Sequence, residues 1–398
     1  MTPLRLVLVS RRFWPLLGGA ERVTANLAAG FCDLGCQVTI LTAQWDPTWP
    51  GKMSFGDARL VRLPQTSRRF WGTLRYMRAL GGWLRDHRGQ YDLVYVSMLK
   101  HDAFTVLGAV GRDVPVVLRA EGAGVSGDCR WQAQHWLGRL IRRRCRRAAA
   151  LVAPSPAVRE ELLAAGYPAA RVLYVPNGVQ IPPPRKPEVQ RAARHALAET
   201  HPAMFLPRGS PLAVYTGRLH EGKGLDRLLT AWKMVSARWP LARLWLAGDG
   251  PKRAALERQI TALRLHGNVL LPGSFDSVED FLAAADLFVF PSREEGMSLS
   301  LLEAMGAGLP LVASDIPGNR ALVENGREGL LVPVDDAEAL AAAIERLLED
   351  QPLAVRLGQA ARQRAAEFTL TATVQRHLAL FASLRKERAR YKMGAPRT

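Results

Sequence analysis

Short runs rich in valine and leucine alternate with helix-length amphipathic stretches, and this alternation runs through the chain twice. In the first half the runs fall at 4–9, 37–41, 59–63, 92–97, 115–118, 150–153 and 172–175, with helical patterns such as 20–34 and 156–165 between them. A strand buried on both faces reads as a continuous apolar run, and parallel neighbours need a helical crossover of right-handed sense. The series is broken by Ile181-Pro182-Pro183-Pro184-Arg185-Lys186-Pro187. Proline cannot donate to a sheet ladder, so this stretch predicts a stiff exposed connector. The alternation then restarts at 212–216, 243–247, 269–271, 287–290, 311–313 and 330–332, with helices near 226–237, 252–263 and 298–305. Helices near 337–349 and 371–386 close the chain. The expectation is an α/β protein with two Rossmann-like, doubly wound parallel-sheet domains facing a central cleft. The first would cover 1–181, a proline-rich linker 182–190 and the second 191–370. A C-terminal helix and tail over 371–398 would pack back toward the first.

The chain has 398 residues, of which 48% are hydrophobic and 23% charged, as in ordinary globular proteins. The formal charge of +18 is uneven. Residues 1–190 carry 27 basic against 13 acidic side chains, the remainder 27 against 23. The basic half suits an anionic lipid surface or a phosphorylated substrate, or it reflects only arginine-rich usage. Its aromatic residues are not arranged to stack nucleic-acid bases and no basic reader motif occurs, so no nucleic-acid partner is expected. Cysteines 32, 36, 129 and 145 make no Cys-x-x-Cys pair or zinc spacing. No apolar run approaches the ~18 residues that span a bilayer. These readings predict a cytoplasmic location, with possible peripheral contact to a membrane face. The candidate for that contact is 67–88, where Arg68, Arg69, Arg75, Arg78, Arg85 and Arg88 interleave with Trp71, Leu74, Met77 and Leu84. The alternative is a helix packed on its sheet with arginines in solvent, and Gly81-Gly82 would weaken it.

Four windows sit where a strand gives way to a helix. In Phe288–Met305, a buried strand ends at Pro291, a loop carries Glu295 and Gly296, and a helix starts near Ser298. Unpaired backbone N–H groups and the positive end of the helix dipole make that junction an anion site. Glu295 and Glu303 alone would be solvated acids; in this setting they can turn toward one ligand and accept hydrogen bonds from its hydroxyls. In Tyr215–Gly224, Gly217 precedes Arg218 and Lys223, a guanidinium fork and a point charge suited to a diphosphate. The window lacks the full Gly-x-x-x-x-Gly-Lys-[Ser/Thr] pattern of an NTPase phosphate loop, since Gly224 stands where the hydroxyl residue belongs. Gly18-Gly19 before the first helix and Gly248-Asp249-Gly250 after a later strand offer further close backbone approach.

In this order, with Pro176-Asn177-Gly178-Val179 before the linker, the windows resemble the retaining glycosyltransferases of family 4, also called group 1, which have the GT-B fold. The resemblance covers nearly the whole chain. It implies that Arg218 and Lys223 hold the diphosphate of a nucleotide-sugar donor and that Glu303 binds its ribose. Glu295 with the backbone of Gly296, Met297, Ser298 and Leu299 would hold the donor sugar and phosphate. Gly217, Gly248 and Gly250 would line the donor site, and Gly18 and Gly19 would close its phosphate side from the first domain. No metal and no separate cofactor are implied; the acceptor would be a saccharide or a lipid-linked molecule. Many relatives carry a histidine where this chain reads Arg119-Ala120-Glu121. Arg119 and Glu121 are therefore assigned either to acceptor handling or to a structural ion pair. A sugar phosphorylase of the same fold and a non-catalytic nucleotide-sugar binder are the competing readings.

Overall fold

The computed structural model describes residues 3–16, 18–66, 69–111, 113–124, 127–275 and 277–392, and it divides into two compact units. One comprises 1–178 with 370–398, the other 179–369.

The first unit is built on an eight-stranded sheet. Its strands are β1 (Arg5–Val9), β2 (Gln37–Ala43), β3 (Lys52–Phe55), β4 (Ala58–Leu63), β5 (Leu93–Ser97), β6 (Val116–Arg119), β7 (Ala150–Ala153) and β8 (Val172–Tyr174). They lie in the order β3-β4-β2-β1-β5-β6-β7-β8. All pairings are parallel except that of β3, which runs antiparallel to β4 across a Gly56-Asp57 turn. Helices Arg69–Asp86 and His101–Ala109 cover one face of the core. Helix Gly19–Asp33 and the C-terminal helix Leu370–Lys392 pack together through Phe31 and Phe381, whose rings lie 5.5 Å apart. Gly30 permits that approach, because a Cβ there would meet Val374 Cγ2 at 2.5 Å.

The second unit holds six parallel strands, β9 (Leu212–Thr216), β10 (Arg243–Ala247), β11 (Val269–Gly273), β12 (Leu287–Phe290), β13 (Leu311–Ser314) and β14 (Leu330–Val332). Their order is β11-β10-β9-β12-β13-β14, so the winding reverses between β9 and β12. At such a reversal the connections leave in opposite directions, opening a crevice at the carboxyl ends of the two strands.

Several sequence expectations need adjusting. The unit boundary falls at Gly178/Val179, ahead of the proline stretch. Pro187 opens helix Pro187–Thr200 instead of continuing the connector, since proline's fixed φ suits a first helical position. Within that helix Gln190 donates to Ala285 O at 3.0 Å and to Asp286 Oδ1 at 2.8 Å, binding it to the second unit. Gly81-Gly82 does not interrupt helix Arg69–Asp86; the bare Gly81 backbone lies against Thr105 and Ala109 of the neighbouring helix. In that helix Leu84 is buried with Tyr76 and Leu80, while Trp71 and Leu74 face solvent, so the four apolar positions do not share one exposed face. Ser67 and Arg68, the side chains of Arg69 and Phe70, and 393–398 lie outside the described residues. Among the described residues no helix is long and apolar enough to cross a membrane.

Candidate active site

In the second unit the reversal places two loops side by side. The loop after β9 carries Gly217, Arg218 and Lys223, and the loop after β12 carries Glu295 and Gly296. Glycines make their packing possible. Gly224 caps helix Leu225–Arg238 with φ of 63°, and a Cβ there would stand 2.1 Å from the Pro291 carbonyl oxygen. Gly248, with φ of 148°, would drive a Cβ to 1.9 Å from the Gly217 oxygen, and one on Gly250 would reach 2.3 Å from Leu219 O. These three positions are closed to any side chain, so the loops after β9, β10 and β12 form one surface of nearly bare backbone.

Arg293 braces this surface. Its Nη2 donates to both carboxylate oxygens of Asp226 at 3.0 and 2.9 Å. Its Nε donates to Asp335 at 2.8 Å and its Nη1 to Glu221 O at 2.6 Å. Hydrogen bonds that it donates to Asp335 and Asp226 hold its pKa above the ordinary guanidinium value although burial opposes them. With the braces in place the Lys223 ammonium meets the Glu295 carboxylate in an ion pair and lies 5.3 Å from the Phe290 ring centroid. Tyr215, buried beneath, stacks on Phe290 at 6.1 Å and donates its hydroxyl to Arg218 O at 3.1 Å. Burial and the nearby Glu295 charge push its pKa well up, so it remains a neutral donor.

Beyond Glu295 the chain turns into helix Leu299–Gly306. Ser298 is its N-cap, accepting from Leu301 N at 3.2 Å, and Met297, Ser298 and Leu299 are buried. Gly318 lets the next loop press against this turn, since a Cβ there would lie 2.4 Å from Glu295 O. Glu303 sits within the helix, half-buried, and Arg218 is exposed. The structure thus gathers Lys223, Glu295 and the Ser298 helix start around one crevice, with Gly217, Gly248 and Gly250 beside it.

In the first unit the outcome is different. Gly18 is the N-cap of helix Gly19–Asp33, and Glu21, three residues on, folds back so that a Cβ on Gly18 would meet its Oε2 at 2.6 Å. This is the returning half of a capping box. A protein carboxylate therefore lies at this helix start, and burial raises its pKa. Space around Gly19 is open.

Arg119 is 1% exposed, which removes it from contact with an acceptor. Its Nε donates to Glu121 Oε1 at 2.9 Å and its Nη2 to Asn177 Oδ1 at 2.5 Å. Glu121 Oε1 also accepts from Ser97 Oγ at 2.7 Å. Burial leads the upward shift of the Glu121 carboxyl, which Arg119 and Ser97 oppose. The same buried cluster reaches the C-terminal helix. His377 Nδ1 stands 2.8 Å from Thr373 O, which only an N–H can satisfy, so Nε2 accepts from the Tyr95 hydroxyl at 3.0 Å. Sequence reasoning missed Arg293, Glu21 and His377. The Gly18-x-x-Glu21 spacing was a readable capping signal, whereas the partners of Arg293 and His377 lie far away along the chain.

Family models match both units. The glycosyl transferase 4-like domain covers residues 18–178, and glycosyl transferases group 1 covers 210–350. The chain belongs to the group 1, family 4 glycosyltransferases of GT-B fold. Among curated relatives, this glycosyltransferase is 35% identical over 178 residues to the lipopolysaccharide core biosynthesis glycosyltransferase LpsE of Rhizobium meliloti, covering 44% of the chain and 51% of LpsE. It is 35% identical over 165 residues to alpha-D-kanosaminyltransferase of Streptomyces kanamyceticus, covering 41% of the chain and 43% of that protein. The chain thus matches about half or less of these relatives' length. Among solved structures, sucrose-phosphate synthase of Thermosynechococcus elongatus superposes with a TM-score of 0.79 at 22% identity, covering 96% of this chain and 99% of that one. HepE of Anabaena, solved in complex with UDP-glucose, gives 0.75 at 20% identity over 96% of this chain and 100% of that one. These likenesses establish the shared fold.

Proposed function

We propose that this glycosyltransferase moves a sugar from a nucleotide-diphosphate-sugar to a hydroxyl of a saccharide or lipid-linked acceptor, with retention at the anomeric carbon. The observation that carries this reading is the Lys223–Glu295 pair beside the Ser298 helix start, at the winding reversal of the second sheet. When the bond between the anomeric carbon and the phosphate oxygen breaks, negative charge grows on the diphosphate and positive charge on the sugar. Lys223, Arg218 and the helix dipole supply positive potential for the first, and Glu295 holds sugar hydroxyls near the second. The acceptor oxygen bonds the anomeric carbon and gives its proton to the phosphate oxygen that leaves it, and the nucleoside diphosphate departs. Glu303, one helix turn further in, takes the ribose hydroxyls. The UDP-glucose complex of HepE, of the same fold, supports this class of donor. No metal is required by this arrangement, because the cations come from side chains.

A cytoplasmic enzyme working at an anionic membrane face is the accompanying proposal. Its support is an exposed Trp136, 78% accessible, followed by exposed Leu140 between Arg139 and Arg143. A large apolar ring flanked by cations is the pattern of an interfacial anchor, with each basic group near the surface worth about 1 kcal/mol. Flotation with anionic and neutral vesicles tests it; equal recovery at low salt removes it. Calorimetric titration with UDP, GDP and ADP, followed by a donor-hydrolysis screen, tests the main reading. A chain that binds none of the three and hydrolyses no donor is not this enzyme.

A further inference from the structure

At the carboxyl end of β2 the chain enters the loop Gln44-Trp45-Asp46-Pro47-Thr48-Trp49-Pro50. Trp14, on the loop after β1, joins Trp49 around Arg62 of β4, whose guanidinium lies 5.8 Å from the Trp14 ring centroid and 5.5 Å from that of Trp49. Arg62 also donates to Pro50 O at 2.6 Å and to Trp14 O at 3.0 Å. The loop is stiff. The Gln44 amide donates to Asp46 O and Trp49 O, both at 2.7 Å, and Asp46 Oδ1 accepts from Thr48 N at 2.8 Å and Thr48 Oγ1 at 2.7 Å.

On this rigid base Trp45 stands out 44% exposed. Its indole N–H donates to Arg11 O at 2.9 Å, and the Arg11 guanidinium lies 5.6 Å from its ring centroid. Arg11 is itself fixed by Gln65 Oε1 at 3.1 Å and Thr73 Oγ1 at 2.9 Å. A tryptophan left to itself folds against its unit and buries its ring. This one is held in solvent by a hydrogen bond at its edge and a cation beside it.

We propose that Trp45 is the stacking platform for a pyranose ring of the acceptor, so that the acceptor is a saccharide recognised through a sugar ring. This rests on the glycosyltransferase reading above and specifies its acceptor class. The axial C–H groups on one face of a pyranose are apolar and slightly positive. They match the negative face of an indole, while the ring's hydroxyls meet polar groups around it. Arg11, Gln65 and Thr73 supply that rim. An acyl chain needs a contiguous apolar strip instead, and a protein partner needs roughly 800 Å² of surface per side; a single ring with a polar border is sized for a sugar.

The test uses the full chain with maltotriose, mannotriose and chitotriose as probes, in wild type, Trp45→Ala, Trp45→Phe and the control Phe205→Ala, which removes an exposed ring of the second unit. Tryptophan fluorescence reports binding, and transfer kinetics with the best trisaccharide give KM and kcat. UDP calorimetry on the same samples separates failure of this inference from failure of the enzyme reading. The expected result is trisaccharide binding by wild type and a KM at least tenfold higher in Trp45→Ala. Trp45→Phe should fall between, because it keeps a smaller ring, and Phe205→Ala should match wild type. Wild type that binds UDP but no trisaccharide overturns the proposal. A Trp45→Ala KM within twofold of wild type does so as well, as does a Trp45→Ala defect confined to vesicle recovery.

Discussion

Lowering the pH should weaken the first unit through one buried imidazole. His377 is fully enclosed, with Tyr95 donating to Nε2 and Nδ1 donating to Thr373 O. Protonation would set two donors against each other at Nε2, in a site already near the Arg119 cation. Burial depresses its pKa to about 4 from the ordinary 6.5, with the Arg119 charge acting the same way and the hydrogen bond to Thr373 opposing it. The sign follows from linkage. Above pH 6.5 the imidazole is neutral in both folded and unfolded chains, and its environment costs nothing extra. Between 6.5 and about 4 the unfolded chain takes up a proton that the folded one refuses, so stability falls as pH falls. At pH 5 this one group accounts for a loss of about 2 kcal/mol, approaching about 3 kcal/mol below pH 4. Asp102, lifted by burial to about 6, and His101, lowered by burial to about 4, titrate in the same region. A comparison with a non-titrating variant isolates His377. In His377→Gln an amide oxygen can still accept from Tyr95. Urea unfolding followed by tryptophan fluorescence between pH 7.5 and 4.5 should give the wild type a steeper acid loss than the variant, by about 2 kcal/mol at pH 5. Parallel profiles would refute the buried neutral imidazole.

Gly224→Ala must place a Cβ 2.1 Å from Pro291 O at a φ of 63°, so it should lose at least about 2 kcal/mol in urea unfolding and weaken UDP binding in calorimetry. Arg119→Ala strands the Glu121 carboxylate in the interior, so melting temperature and transfer rate should fall together, at about 3–5 kcal/mol. Intact stability with lost transfer would return Arg119 to the acceptor. Glu303→Ala should weaken nucleotide binding in calorimetry far more than it lowers kcat, because ribose contacts change little between ground and transition states.

Strand positions were legible because buried parallel strands need uninterrupted apolar residues, and β9, β10, β12 and β14 fall on the runs read from the sequence. β3 was not, since its four residues alternate between exposed and half-buried and carry no such run. The loops after β9 and β12 were legible as candidate ligand loops because glycine, proline and charge cluster where strand meets helix. The state of each charged group was not. Arg119 ends a strand like an accessible site residue, yet it is buried by Asn177, which lies 58 residues away. Lys223 and Glu295 are 72 residues apart, and only the strand order makes them neighbours. The basic helix Arg69–Asp86 showed its composition but not which apolar residues it would keep for its own core.

In the proposed reaction Lys223 stands where the leaving diphosphate gathers charge. Turnover of a nucleotide-sugar accepted by the wild type, followed by NMR as release of the nucleoside diphosphate, tests it in wild type and Lys223→Ala. Loss of one preorganised donor typically lowers the rate by ~10²–10³, about 2.7–4 kcal/mol. A fall of that order, not restored by added Mg²⁺, is the expected result. A Lys223→Ala enzyme that releases the diphosphate at near the wild-type rate would contradict it.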